Sequence, residues 1–453
     1  MAVSLHHMRE FGIEPVPVQH RVLGVRDNFV LWADLGISFL VMVVGMFLVP
    51  GLGFWQAMLA IVVGATIGNL LLGLAAMVGS DTGLPTMVLL RAPLGRLGSY
   101  VPTVVNVLQL LGWATFEVIV MSQAADLLAT RLGAPSAYHA WVVFFTALTL
   151  LLALGGPVLV TKQWMEKFAV WAVLLSTVWI TVALLSSYDV SAILSRPGTG
   201  EMSFWLAVDL VVALPISWFP LVADYSRFSR NRRSAFWGTA VGYFVPQVWF
   251  YALGALLVLV VGVASDPDAP IAPLLAAIGG LTAGWAALLI LLLDETDEGF
   301  ANVYSTAVSI QNLAPRLRQR WLIVAICLVV LVVASLVPLA QYESFLLLIG
   351  AAFVPLLAVL CADYFVLHGQ RYDATALSRS DGPATVRWGA VAAWVVGIAT
   401  YLLISGVPPF GIQGLAPWLG SSLPSFVVTF ALYMALERAV LRRGLPRAGA
   451  ASA

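Results

Sequence analysis

Four acids crowd one apolar stretch of this 453-residue chain: the run from Ile290 to Gln311, ILLLDETDEGFANVYSTAVSIQ, holds Asp294, Glu295, Asp297 and Glu298. A carboxylate at the centre of a bilayer costs roughly 2.5–3.5 kcal/mol even on the lenient insertion scale. Four together do not face lipid. They face protein, water, a cation or an organic ligand, unless they cap a helix end in a re-entrant or headgroup-level loop. On a helix Asp294 and Glu298 stand one turn apart, with Asn302 a turn further on; Asp297 lies on the neighbouring face, near Asp294 and Ala301. Thr296 and Ser305 add hydroxyls. The pattern reads as a cation site beside a hydrogen-bonding site. A second stripe, Asn106, Gln109, Trp113 and Glu117, repeats at helical spacing on one face. A tryptophan one turn from a carboxylate suits a flat, amino-bearing heterocycle: the ring stacks on indole, and the acid accepts from ring N–H and amino groups. Helix–helix packing is the competing use, above all for Asn106 and Gln109.

The elements that position these residues are membrane helices. The chain is 61% hydrophobic and 10% charged, against about 25% charged in soluble domains. Apolar segments recur at roughly 28–50, 54–79, 101–130, 139–160, 165–187, 203–222, 236–264, 281–309, 321–339, 343–367, 387–406 and 422–441, each near the ~20 residues that cross a bilayer. About twelve spans place both termini on one side. With that side cytoplasmic, all but Arg131 and Arg196 of the 23 lysines and arginines fall inside or at inner span ends, as the positive-inside rule requires. The predicted class is an all-α, multi-pass protein of the cell membrane with both termini cytoplasmic.

The same count says what is missing from the interior. No lysine or arginine falls deep in a span, and His6, His7, His20, His139 and His368 sit in tails, loops or span ends. The acids therefore have no basic partner from the chain and must hold protons, a cation or donors on a ligand. The absence of a buried histidine argues against an enzyme, and Cys327 and Cys361 read as packing residues. Zero net charge implies no polyanionic partner such as nucleic acid. A channel is the rival from another class, but acids clustered unevenly along one chain do not suggest a selectivity ring.

Two spans read as interrupted. The first, FVLWADLGISFLVMVVGMFLV, has Asp34 and Gly36 a third of the way in; the sixth, FWLAVDLVVALPISWFPLVADY, has Pro215 and Pro220. Interrupted helices at matching positions of two halves point to a midplane binding site in transporters. The loop 81–100 reads as an interfacial helix, a gate or a plain connector, and the run DYSRFSRNRR as a topology anchor.

The segments WADLGIS, GWATFE, PISWFPLVADYSRFSR and FANVYSTAVSIQNL, in that order, resemble the nucleobase–cation symporter-1 family over about Gly24 to His368. The resemblance implies a leucine-transporter-like fold, two inverted five-helix repeats plus two extra helices, working by alternating access. It divides the chain into a tail 1–27, repeats 28–200 and 201–370, accessory helices 371–441 and a tail 442–453. It implies symport of a nucleobase or aminopyrimidine with Na+ or H+ and no other cofactor. Cytosine or hydroxymethylpyrimidine is favoured; purines, thiamine, allantoin and hydantoin are the alternatives. It further implies a substrate site of Trp113, Glu117, Asn302, Ser38 and the stretch Leu214 to Ser217, with Pro215 where some members place an aromatic. Trp218 is a substitute that helical direction argues against. The implied sodium ligands are the carbonyls of Asp34, Ile37 and Leu293 with Thr296 and Asp297, and Asp294 or Glu117 is the implied proton carrier.

Overall fold

The predicted apolar stretches are helical over most of their length where the computed structural model describes them, namely residues 11–156, 170–262, 271–337, 342–407, 412–416 and 418–442. The helices are α1 (Val25–Asp34), α2 (Phe39–Phe47), α3 (Phe54–Thr82), α4 (Tyr100–Arg131), α5 (Tyr138–Gly155), α6 (Val170–Ser187) and α7 (Phe204–Ser226). They continue with α8 (Arg232–Val261), α9 (Ala272–Gly280), α10 (Gly284–Leu313), α11 (Gln319–Leu336), α12 (Tyr342–Cys361), α13 (Trp388–Ser405) and α14 (Ser422–Arg442). The strands among the described residues are Gly406–Val407 and Ile412–Gln413, one short antiparallel pair. Among the described residues, eight helices are each long and apolar enough to cross a membrane, and α1 with α2, bent by 64°, make a ninth crossing if counted as one span. Arg9, Lys162, Lys167, Arg443 and Arg447, counted above on the cytoplasmic side, lie outside the described residues.

Two packed groups frame the interior. In one, α3 packs on α7 and α8, and α8 packs on both α1 and α2. In the other, α4 packs along α10, and α5 fills the angle between α10 and α11. Small residues allow the close crossings, as expected where lipid supplies no hydrophobic drive between helices. A Cβ on Gly45 would fall inside the van der Waals shell of the Tyr251 carbonyl, so α2 and α8 meet backbone to backbone there. α12 packs on α7 and carries α13 and α14 outside it. Asp209 of α7 fixes the last of these: its carboxylate accepts from the Ser421 amide at 2.5 Å and the Ser422 amide at 2.9 Å, capping the start of α14.

The end of the molecule that carries the N-terminal segment is knitted by loops. The segment 81–100 is neither a surface helix nor a plain connector: it forms two short helices, Thr86–Leu89 and Arg91–Leu94, buried throughout. The described part of the N-terminal segment packs rather than trails. Val16 and Leu23 are fully buried with Phe228, and the Leu23 amide donates to the Phe228 carbonyl at 2.9 Å. The run read as a topology anchor also staples: Arg227 donates to Gly12 O at 2.7 Å and to the Tyr304 hydroxyl at 3.1 Å.

Candidate functional site

The break between α1 and α2 organises the site. Gly36 lies where a Cβ would sit 2.9 Å from Pro246 Cγ and 3.1 Å from the Tyr243 carbonyl oxygen of α8, so the chain needs glycine to turn there. Asp34 ends α1 and is buried; its carbonyl accepts from the Ile37 amide at 3.0 Å. A helix C-terminus carries partial negative charge, and a buried acid at that end adds to it. Both favour a cation. Ser38 caps α2, its hydroxyl oxygen accepting from the Leu40 amide at 3.1 Å.

From α10, Glu295 reaches the start of α2. Its Oε1 accepts from the Phe39 amide at 2.5 Å and its Oε2 from the Ser38 hydroxyl at 3.3 Å, an anion seated at a helix N-terminus. Glu117 of α4 meets Glu295 and Glu298: the three, all buried, have carboxylate oxygens within 4.8 Å of one another. Three formal anions that close, without a Lys, Arg or His in the group, require shared protons or a hard cation, for which carboxylates are suitable ligands.

A small cavity opens beside this cluster. Ser38, Leu40 and Val41 line it from the break, Trp113 from α4, Leu214, Ser217 and Trp218 from α7, Tyr243 from α8, and Glu298 and Asn302 from α10. Its volume for the centres of water-sized spheres is ≈ 10 Å³, about what one water needs, so a ring-sized ligand requires these helices to part. The two indoles are held firmly. Trp113 meets Phe345, Tyr342 and Phe116 edge-on at centroid distances of 5.2, 5.8 and 6.2 Å. Trp218 crosses Trp32 at 90° and 5.8 Å, and its Nε1 donates to the Tyr243 hydroxyl at 2.9 Å.

The structure corrects the expectation of a second broken helix. α7 runs without interruption through Pro215 and Pro220. Pro215 supplies no amide for the Val211 carbonyl, but that carbonyl gains long bonds from Gln247 Nε2 at 3.5 Å and the Tyr251 hydroxyl at 3.4 Å. The Ser217 hydroxyl donates back to Leu214 O at 2.6 Å, and Gln109 Nε2 donates to Ser217 O at 2.9 Å. Neighbours from α8 satisfy the carbonyl that Pro215 frees, and the helix continues through both prolines. The Pro215 ring turns toward Gly68 of α3 and is not in the cavity wall. The second aromatic is Trp218, against the expectation from helical direction.

Trp113, Asn302, Ser38, Leu214 and Ser217 thus come together around one cavity. Glu117 does not join its wall and stands behind Glu298. Asn106 and Gln109 bridge helices: Asn106 Nδ2 donates to Ser309 Oγ at 2.9 Å, and Gln109 Nε2 to Asn106 Oδ1 at 3.0 Å. Ile37, Thr296 and Asp297 are buried near the break and along α10. The side chains of Leu293 and Asp294 lie outside the described residues. The sequence reading placed Glu295 and Glu298 in the acidic run but gave neither a role of its own, although Glu295, Glu298, Asn302, Ser305 and Ser309 form one polar stripe at helical spacing.

Residues 15–417 match the family described as permease for cytosine/purines, uracil, thiamine, allantoin. The cytosine permease of Escherichia coli (strain K12) is 29% identical, over 88% of this chain and 90% of that protein. The hydantoin permease of Microbacterium maritypicum is 25% identical, over 86% and 83% respectively. Among solved structures, Mhp1, a nucleobase-cation-symport-1 family transporter in a closed conformation with bromovinylhydantoin bound, superposes with a TM-score of 0.81 at 21% identity, covering 96% of each chain. A Na+-coupled sialic acid symporter shares the fold at a TM-score of 0.63 and 13% identity.

Proposed function

This chain belongs to the family of permeases for cytosine/purines, uracil, thiamine and allantoin, and we propose that it is a secondary active symporter importing a nucleobase or aminopyrimidine with a cation across the cytoplasmic membrane. The observation that carries this reading is the cavity at the α1–α2 break, where Trp113 and Trp218 share a wall with Glu298, Asn302 and Ser38. Indole faces take a flat ring, and the polar groups sort its edge. Carboxylates accept and do not donate when ionised, which favours cytosine or hydroxymethylpyrimidine over uracil or hydantoin. Purines, thiamine and allantoin are the alternatives within the family.

Coupling in this reading rests on the break. Asp34 and the carbonyls of Asp34 and Ile37 on one side, and Thr296, Asp297 and the Leu293 carbonyl on the other, hold Na+ or supply the place for a proton. A cation there neutralises the end of α1 and draws α10 toward it, completing the wall that meets the substrate. Residues 28–200 and 201–370 act as two repeats that rock about this centre, with 371–441 as accessory helices.

The test is uptake into proteoliposomes. Radiolabelled cytosine should accumulate above the external concentration when an inward Na+ or proton gradient is imposed, and not when both are collapsed. Equilibration without accumulation under every gradient would make the protein a channel or facilitator and sink symport.

A further inference from the structure

The three clustered glutamates stand differently toward the cavity. Both oxygens of Glu295 are engaged by the start of α2, through the Phe39 amide and the Ser38 hydroxyl. Glu117 faces the other two carboxyl groups and is not in the wall. Glu298 is the one of the three that lines the cavity. In the same wall stands Trp113, 5% exposed, whose indole N–H has no acceptor among the described residues. Tyr243 also lines the cavity and already accepts from Trp218 Nε1, so its own hydroxyl proton is available to a further acceptor. The wall therefore presents the Glu298 carboxylate as an acceptor, the Tyr243 hydroxyl as a donor and the Asn302 amide as both, beside the Trp113 and Trp218 indoles.

Resting on the transport reading above, we propose that Glu298 is the specificity-determining residue. It takes an amino N–H of the heterocycle, stacked on the Trp113 indole, while a carbonyl or unprotonated ring nitrogen of the same ligand receives the Tyr243 hydroxyl proton. A ligand that turns a carbonyl toward Glu298 sets acceptor against acceptor and leaves two buried groups without a proton between them. Sites built on such bonds discriminate far more strongly than apolar pockets of the same shape. Glu117 is a positioning residue behind Glu298, and Glu295 ties the pair to the start of α2.

The experiment measures apparent affinities of the purified full-length protein for two matched pairs, cytosine with uracil and adenine with hypoxanthine, which differ by amino against carbonyl at one ring position. The wild type should prefer the amino member, and N4,N4-dimethylcytosine, with no amino proton, should bind about tenfold more weakly than cytosine or worse. Glu298→Gln, whose amide also donates, should move the amino-to-carbonyl ratio about tenfold toward the carbonyl member. Trp113→Phe should weaken both members while leaving their ratio within about twofold. A ratio unmoved by Glu298→Gln, an inversion produced by Glu117→Gln instead, or dimethylcytosine binding as well as cytosine would each overturn the assignment. The dimethyl analogue needs no variant, so the proposal is decided even if Glu298→Gln fails to fold. Should no heterocycle bind the wild type, the nucleobase reading itself falls and takes this inference with it. Binding that ignores the amino group removes the inference alone.

Discussion

In the buried segment 81–100, Arg91 is as buried as Trp113, yet each arm of its guanidinium has a partner. Nε donates to Asn312 Oδ1 at 2.7 Å, one terminal nitrogen to Leu377 O at 2.9 Å, and the other to Asn312 O at 3.1 Å. Burial brings this group down to about 10, so it keeps its charge at neutral pH. At the α1–α2 break the charges are treated differently: Glu117, Glu295 and Glu298 have one another for neighbours. Not every buried acid in a span is left so. Asp209 caps α14, and Asp363 accepts from the hydroxyls of Tyr372 at 2.5 Å and Tyr433 at 2.6 Å. Buried charge with protein partners ties elements together, whereas like charges held face to face are kept for something that arrives. That separates structural acids from functional ones better than burial does.

This contrast can be broken or sharpened by substitution. The largest loss of stability is expected at Arg91. Arg91→Ala takes the donor from Asn312 Oδ1 and from the carbonyls of Asn312, Leu377 and Arg379, at a cost on the order of 3 kcal/mol, read as a lower melting temperature of the purified protein and reduced yield. Trp113→Ala should leave the fold standing but weaken ligand binding roughly 10- to 100-fold, since stacking a base on an aromatic is worth ~1–3 kcal/mol; competition binding measures it. Asp209→Ala removes the cap of α14 and should cost about 1–2 kcal/mol with substrate affinity unchanged.

The opposite sign is expected in the carboxylate cluster. Glu117→Gln relieves repulsion among like groups and should hold or slightly raise the melting temperature while impairing uptake, the usual exchange between stability and function. A large destabilisation there would mean that the cluster is structural. The smallest effect belongs to the surface pair Arg379–Asp381, with side chains 64% and 73% exposed. The hydrogen bond from Arg379 holds the Asp381 carboxyl below its usual range. Any stability it adds is present above that range and lost as the pH falls into the acid region. Because the pair is solvated and screened, Asp381→Asn should leave both melting and uptake unchanged at neutral pH.

Legibility in the sequence followed the range of the interaction. Hydropathy and the arginine distribution are properties of single segments, and they placed every described membrane helix. The first break was readable because Asp34 and Gly36 are adjacent in the chain. The continuity of α7 was not, since the groups that compensate Pro215 come from Gln247 and Tyr251, a helix away. Trp113 was legible as a face beside an acid, but not which acid would share its cavity. Periodicity put Asp294, Glu298 and Asn302 on one face without showing which side of α10 looks at α4. Trp218 was misjudged because ideal helical direction ignores how a large ring can lean. The packed segment around Val16 and Leu23 carries too few apolar residues to announce itself.

The most direct test of the central claim, that a planar amino-heterocycle sits between the indoles at the α1–α2 break, is ligand-induced stabilisation of the wild type and of Trp113→Ala, measured side by side. A ligand that binds the folded state raises its apparent stability by mass action. Cytosine or a related amino-heterocycle should raise the wild-type melting temperature in a dose-dependent way and leave Trp113→Ala unmoved. Equal shifts in the two proteins would place the ligand elsewhere, and no shift in the wild type with any nucleobase would contradict the account.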